Sequence, residues 1–277
     1  MKSSGFIMQT IVYFKKTIRI AFKEKFWKFL IFSAIISLIV ALVVGEKMFD
    51  TYESTKSGFF SIASACIWIG IFNSIQSICK EHDIIHAESR SGTMISSYIT
   101  AHVLWQMVLC LVQSAIMLAI CTLTVNFNSN GVVLGSAFAE YFVTIFLLTF
   151  CADVMGIMIS SIAGNPTTAM TIMPFVLIIQ LIMSGVLFDL SGFSERISYI
   201  TFSKWGMNAF GSIADLNSTD LPLKLSAVFP QVVKLETESC YDRTAANLLG
   251  AWAWCLGLGT LCYAASIISL KIKNRDS

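Results

Sequence analysis

Charge is what this sequence is short of. Only 13% of its 277 residues are Asp, Glu, Lys or Arg, against 56% hydrophobic. A soluble domain carries roughly 25% charged and 45–50% apolar residues, so this chain cannot coat a water-soluble particle of its size. Disorder is excluded on the same ground, because it needs low hydrophobicity with high net charge. The formal net charge of +2 is too small for nucleic acid to be a main partner. Prolines number four and glycines 16, which excludes collagen-like or linker-rich segments. No CxxC pair occurs among the eight cysteines, which argues against thiol redox chemistry and structural zinc. A GxxxxGK[ST] phosphate loop is missing too. The first 28 residues hold no short apolar region followed by a small-residue cleavage site, so no signal peptide is expected. No internal repeat is visible, which argues against carriers built from duplicated halves.

Long apolar runs are what the sequence has. A helical span needs about 20 mainly apolar residues, and six runs meet this: Phe29–Gly45, Phe59–Ile78, Tyr98–Thr124, Ala137–Ile162, Thr168–Leu187 and Leu248–Leu270. They are too uniformly apolar for barrel strands, which alternate over about 10 residues. Helices satisfy their own backbone in lipid, so the expected fold is an all-α membrane protein with six transmembrane helices. Lysine and arginine placement sets the orientation. Seven precede the first span, two (Lys80, Arg90) lie between spans two and three, and three (Lys271, Lys273, Arg275) lie in the tail. The short opposite loops hold only Lys47 and Lys56. Both termini are therefore expected in the cytoplasm, with the long loop 188–247 outside.

Residues 1–28 form a separate cytoplasmic segment before the 29–277 membrane domain. Ile7, Ile11, Phe14, Ile18 and Phe22 share one helical face, with Gln9, Lys16, Arg19 and Lys23 largely opposite. This predicts an amphipathic helix lying on the membrane surface and attracted to anionic headgroups. Seven cysteines lie in or at the ends of spans, where cysteine behaves as a small apolar residue. Cys240 alone is in the outer loop, which suggests a free thiol or an intermolecular disulfide.

The densest polar cluster runs from Lys80 to Gly92, between spans two and three. Two readings compete there. His82 and His86, one turn apart with Asp83 between, could hold a metal for hydrolysis. Alternatively, a short charged helix ending at Gly92 docks on a soluble partner and transmits movement. Glu81-x6-Glu88-x3-Gly92-x5-Tyr98 resembles the coupling loop of type-2 ATP-binding cassette (ABC) exporters, the G subfamily of white and multidrug-resistance half-transporters. Ser184-Gly185-Val186-Leu187 resembles that family's outer plug, and Phe202-Ser203-Lys204-Trp205-Gly206 with Asn208-Ala209-Phe210 resembles the stretch after its re-entrant outer helices. Six spans, a leading amphipathic helix and one long loop before the last span agree in order.

The resemblance implies a permease subunit of an ATP-driven exporter with no catalytic site or cofactor of its own. ATP and Mg would be bound by a separate ATPase, and a second permease, identical or related, would complete the transporter. Glu81, Glu88 and Gly92 would anchor the coupling helix against the ATPase. Ile62, Cys66, Ile69 and Asn73 on span two would line a central cavity, faced by Ile178, Leu181 and Ile182 on span five and closed by Val186 and Leu187. Such walls suit a hydrophobic or amphipathic substrate. The split from the ATPase and the lysine- and isoleucine-rich composition point to a bacterial cytoplasmic membrane.

Two acids lie in span four. Asp153 is mid-span, where a charge costs roughly 2.5–3.5 kcal/mol. No lysine or arginine lies in any span to pair with it, so it is expected to be neutral or bonded to Gln113, Gln180 or a serine. Glu140 is near enough to the end to reach water. Gly156, Ser160 and Gly164 recur every four residues, which favours close helix approach, and Pro174 should kink span five. Asp153 also keeps an ion- or proton-coupled carrier open as an alternative, beside the His82 and His86 hydrolase and a plain scaffold.

Overall fold

A computed structural model describes residues 5–90, 93–125, 127, 130–188, 190–218 and 238–275. The chain is helical: α1 (Phe6–Lys23), α2 (Trp27–Val44), α3 (Tyr52–Ser74), α4 (His82–Arg90), α5 (Ile95–Cys121), α6 (Ala137–Ile162), α7 (Pro166–Ile182), α8 (Phe193–Ser198), α9 (Phe202–Ala214) and α10 (Ala245–Arg275). Among the described residues five helices are long and apolar enough to cross a membrane: α2, α3 with its extension to Glu81, α5, α6 and α10.

The expected fifth span differs. It starts at Pro166, whose ring suits the first turn, behind Asn165, whose side chain accepts from the Thr168 amide at 2.8 Å. It runs through Pro174 but stops at Ile182, not Leu187. Gly185 adopts a left-handed φ of 77°, which a helix cannot continue through. Seventeen residues span about 26 Å at 1.5 Å each, short of the ~30 Å hydrocarbon core.

Burial in α2 is inverted relative to a soluble helix. Ser33, Ser37 and Ala41, each four apart, face inward and are fully buried, whereas Ile31, Ile35, Leu38, Ile39 and Leu42 point outward and are exposed. Small residues against protein and large apolar ones against solvent is the pattern lipid selects. In α1, Thr10 and Thr17 face α5, while Ile7, Ile11 and Phe22 stay exposed. Phe14 and Ile18 of the same stripe are half-buried, so the protein itself covers only part of it.

At the centre α6 packs against α3, α5, α9 and α10. Glycines set the α3–α6 separation. A Cβ on Gly70 would run into the Thr149 carbonyl and Ala152, and one on Gly156 into the Ser74 hydroxyl. Ser74 Oγ donates to the Asp153 carbonyl oxygen at 2.6 Å. Ser160 Oγ, one turn on, accepts from the amides of Ile78 and Cys79, both at 3.1 Å. Gly164 falls beyond the helix and has nothing near its missing Cβ, so the expected small-residue row ends at Ser160. Toward the other end, the buried rings of Phe59, Tyr141 of α6 and Phe210 of α9 cluster in a triangle, with Phe59 5.6 Å from Tyr141 and 5.2 Å from Phe210 and those two 6.3 Å apart. The first amides of α9, from Phe202 and Ser203, donate to Gln180 Oε1 of α7 at 2.9 and 3.2 Å.

Overpacking a tight interface costs about 1–3 kcal/mol. Gly156→Ala should therefore lower the melting temperature of the purified chain in detergent, while Gly164→Ala leaves it unchanged. A thermal melt of the two variants side by side checks this.

Candidate functional site

The end of the bundle that carries α1 and α4 gathers most of the predicted polar residues. After α3, a 3₁₀ turn over Cys79–Glu81 leads into α4. Glu81 Oε2 accepts from the Tyr98 hydroxyl of α5 at 2.8 Å and lies 3.9 Å from His102 Nε2. Glu88 reaches back to α1: Oε2 accepts from the Tyr13 hydroxyl at 2.9 Å and Oε1 from Lys16 Nζ at 2.8 Å. Tyr13 OH is also 3.0 Å from Thr93 Oγ1, and its ring meets Tyr98 edge-on at 5.6 Å. Gln9 Oε1 accepts the Met94 amide at 2.8 Å. Neither glutamate is thus a free loop carboxylate. The Lys16–Glu88 pair is about one-third exposed, where an ion pair alone contributes about 0–1 kcal/mol. The strength lies in the connected set of hydrogen bonds. Burial, before the influence of Glu88, holds the Tyr13 phenol above its ordinary range, so it stays a donor throughout the physiological range. Gly92 lies outside the described residues.

On α3, Ile62, Cys66 and Ile69 of the expected cavity wall are buried inside the subunit, with Cys66 Sγ 3.5 Å from Met117 Sδ of α5. The stripe of α3 facing out runs through Ser57, Ser61, Ser64 and Trp68, of which Ser57 and Trp68 are exposed. Asn73 forms a reciprocal amide pair with Gln113 of α5, at 2.7 and 3.1 Å. It also borders a cavity of about 490 Å³ between the α1–α2 elbow, the end of α3, α5 and Met170 of α7. Ile178 and Ile182 are exposed on α7, and Leu181 is half-buried. Past the helix, Val186 packs on the core while Leu187 is exposed.

Asp153 is fully buried, and neither carboxylate oxygen has a hydrogen-bond partner. The anticipated partners are engaged elsewhere. Gln113 bonds Asn73 and the Phe29 carbonyl, Gln180 caps α9, and Ser74 bonds the Asp153 backbone. Glu140 does not reach water either. It is buried, and Oε1 accepts the amides of Val132, Val133 and Leu134.

Among the described residues no group of three or more His, Cys, Asp or Glu is placed to hold a metal. Cys240 is half-buried beside Glu238, with Sγ 3.7 Å from Oε2. Glu238 in turn binds Lys56 Nζ at 2.7 Å and the Tyr52 hydroxyl at 3.2 Å. Burial first, then the Glu238 carboxylate, push the Cys240 thiol up to about 12. The thiolate is the reactive form, so at pH 8 Cys240 is held as the thiol. A membrane-impermeant maleimide should label it at least about tenfold more slowly than a solvent-exposed cysteine of ordinary pKa ~8.5. The rate should climb as pH rises toward 10, and Glu238→Gln should speed labelling at pH 8. Timed labelling read by mass spectrometry checks both.

Sequence reasoning missed Tyr13, Lys16 and His102. Their signal was weak, because nothing local links α1 to a helix about 75 residues on. Comparison with known proteins agrees with this architecture. Residues 8–214 match the family described as ABC-2 type transporter. The chain is also 26% identical over 153 residues to an ABC transporter ATP-binding/permease protein of Mycobacterium tuberculosis, a stretch covering 54% of this chain but 18% of that relative. With the family pattern running from α1 through α9, the chain belongs to the ABC-2 type transporters and is a multi-pass membrane permease.

Proposed function

We propose that this permease works in an exporter, moving a hydrophobic or amphipathic substrate outward by alternating access at the interface with a second permease. ATP and Mg are bound by an ATP-binding partner that docks on α4. The observation that carries the reading is the anchoring of α4 at both ends: Glu81 to α5, and Glu88 to α1. A push on α4 then moves three elements together rather than bending one loop. Lysine and arginine placement supports an orientation with α1, α4 and both termini in the cytoplasm of a bacterial cell, and α8 and α9 at the outer face. In this reading α7 is the fifth of six spans in chain order, completed by residues 183–188, and α8 and α9 dip in from outside. The outward stripe of α3, through Ser57, Ser61, Ser64 and Trp68, and exposed Ile178 and Ile182 of α7 supply the surface for the second permease and the substrate path. Val186 and Leu187 close its outer end.

The test is a mild-detergent pull-down of the tagged chain followed by mass spectrometry. A co-purifying P-loop ATPase in near-stoichiometric amount is the expected result. In the reconstituted complex, Glu81→Ala and Glu88→Ala should each leave ATP hydrolysis running while transport falls about tenfold or more, a loss of coupling of roughly 1.4 kcal/mol or more. Normal transport in both variants would overturn the mechanism.

A second reading rests on Asp153, whose two unpartnered buried oxygens would suit a proton relay. On the exporter reading, Asp153→Asn keeps assembly and ATP-driven transport. Transport lost at normal expression, or transport that follows the proton gradient and survives ATP depletion, would favour the relay.

A further inference from the structure

The 490 Å³ cavity at the α1–α2 elbow is walled by α1, α2, α3 and α5, with Met170 of α7 at its edge. Its volume is in the range of small-molecule sites, and its walls divide by chemistry. Phe29, Phe32, Phe72 and Leu109 make one side apolar. Lys28 and Lys80 are exposed at the rim, and neither takes part in an ion pair among the described residues. Glu24 and Glu81 also line the space. Two cations and two carboxylates give the lining no net formal charge. A nucleotide or an anionic lipid would meet as much repulsion as attraction, and a purely apolar molecule would leave the charged rim unused.

The floor decides the rest. Gln106 is only 5% exposed. Its Nε2 donates to the Asn73 carbonyl at 3.4 Å, and its Oε1 has no partner. A buried acceptor without a partner costs about 1–3 kcal/mol, so a turn of the Gln106 side chain toward the cavity to meet a ligand's N–H donor is favoured. A trimethylated ammonium has none to give.

We propose that this cavity holds one aminophospholipid from the leaflet on the α1 side. Its phosphate sits by Lys28 and Lys80, its primary ammonium by Glu81, Glu24 and Gln106 Oε1, and the start of an acyl chain along Phe29, Phe32 and Phe72. Basic pockets between helices at a membrane face are suited to lipid headgroups, and here the paired carboxylates restrict the class to zwitterionic amines. The lipid sits where α1 turns into α2, so it ties the surface helix to the span. This inference does not depend on the direction of transport or on the identity of the cargo.

Native mass spectrometry of the full chain, delipidated in mild detergent and titrated with defined lipids, tests it. Phosphatidylethanolamine should bind with one molecule retained, about fivefold or more tightly than phosphatidylcholine or phosphatidylglycerol, about 1 kcal/mol or more. Lys28→Ala with Lys80→Ala should lower that retention by a similar factor; both lysines are exposed, so the fold is unaffected. Gln106→Leu should abolish the preference for ethanolamine over choline. Soluble glycerophosphoethanolamine should compete only at far higher concentration. Equal retention of phosphatidylcholine, undiminished retention in the double lysine variant, or displacement by the soluble headgroup at matching concentration would each overturn the assignment.

Discussion

The close contact of α3 with α6 is the constraint on which the rest of the structure depends. It exists because Gly70 and Gly156 remove the two side chains that would hold the backbones apart. In lipid no hydrophobic drive pushes helices together, so the energy comes from van der Waals contact and from hydrogen bonds across the interface. Ser74 and Ser160 supply those bonds, and both go to backbone groups. Ser160 is the more consequential of the two. It accepts the amides of Ile78 and Cys79, where α3 changes to a tighter turn, and so fixes the direction in which the chain leaves toward α4.

From that turn the order of cause runs outward. Glu81 is set against Tyr98, and α4 is set by Glu81 and Glu88 together. Helix α1 is held by Tyr13 and Lys16 on Glu88, and by Gln9 on the start of α5. None of these contacts is strong alone, and the charged pair is partly screened by water. Together they join a surface helix, a short polar helix and a span into one unit. Helix α9 is secured differently, by the Phe59 stack and by the Gln180 side chain that receives its first amides. Both ends of the bundle thus combine aromatic and polar contacts, with the connected carboxylates at the α4 end and the larger ring cluster at the α9 end. Trp205 and Trp254, stacked 5.0 Å apart, extend the aromatic end.

Much of this was legible in the sequence, where a local period carried it. The apolar runs located five long helices, with ends off by up to seven residues, and the Ile7–Phe22 stripe located α1. The short end of α7 was not legible from hydropathy, because Val186, Leu187 and Phe188 are as apolar as the helix before them; the left-handed Gly185 decides it. Which face of α3 is packed was not legible either. In a membrane helix both faces are apolar, so Ile62 and Trp68 cannot be assigned inward and outward by hydrophobicity. The glycine at position 70 was the cue to the packed side. Pairings such as Tyr13 with Glu88, or Glu140 with three loop amides, join residues by contact rather than by pattern and needed the fold.

Glu140 carries a consequence for how the chain is made. Its carboxylate is buried near the start of α6 and takes the amides of Val132, Val133 and Leu134 from the connection to α5. Before that connection has closed, an insertion machinery handling α6 alone would confront an acid with no donors. Once the two helices and their turn are together, the same acid is supplied by backbone it carries with it. The pair α5 and α6 thus has reason to enter the bilayer as a hairpin, with the acid and its three amides brought in by the same turn.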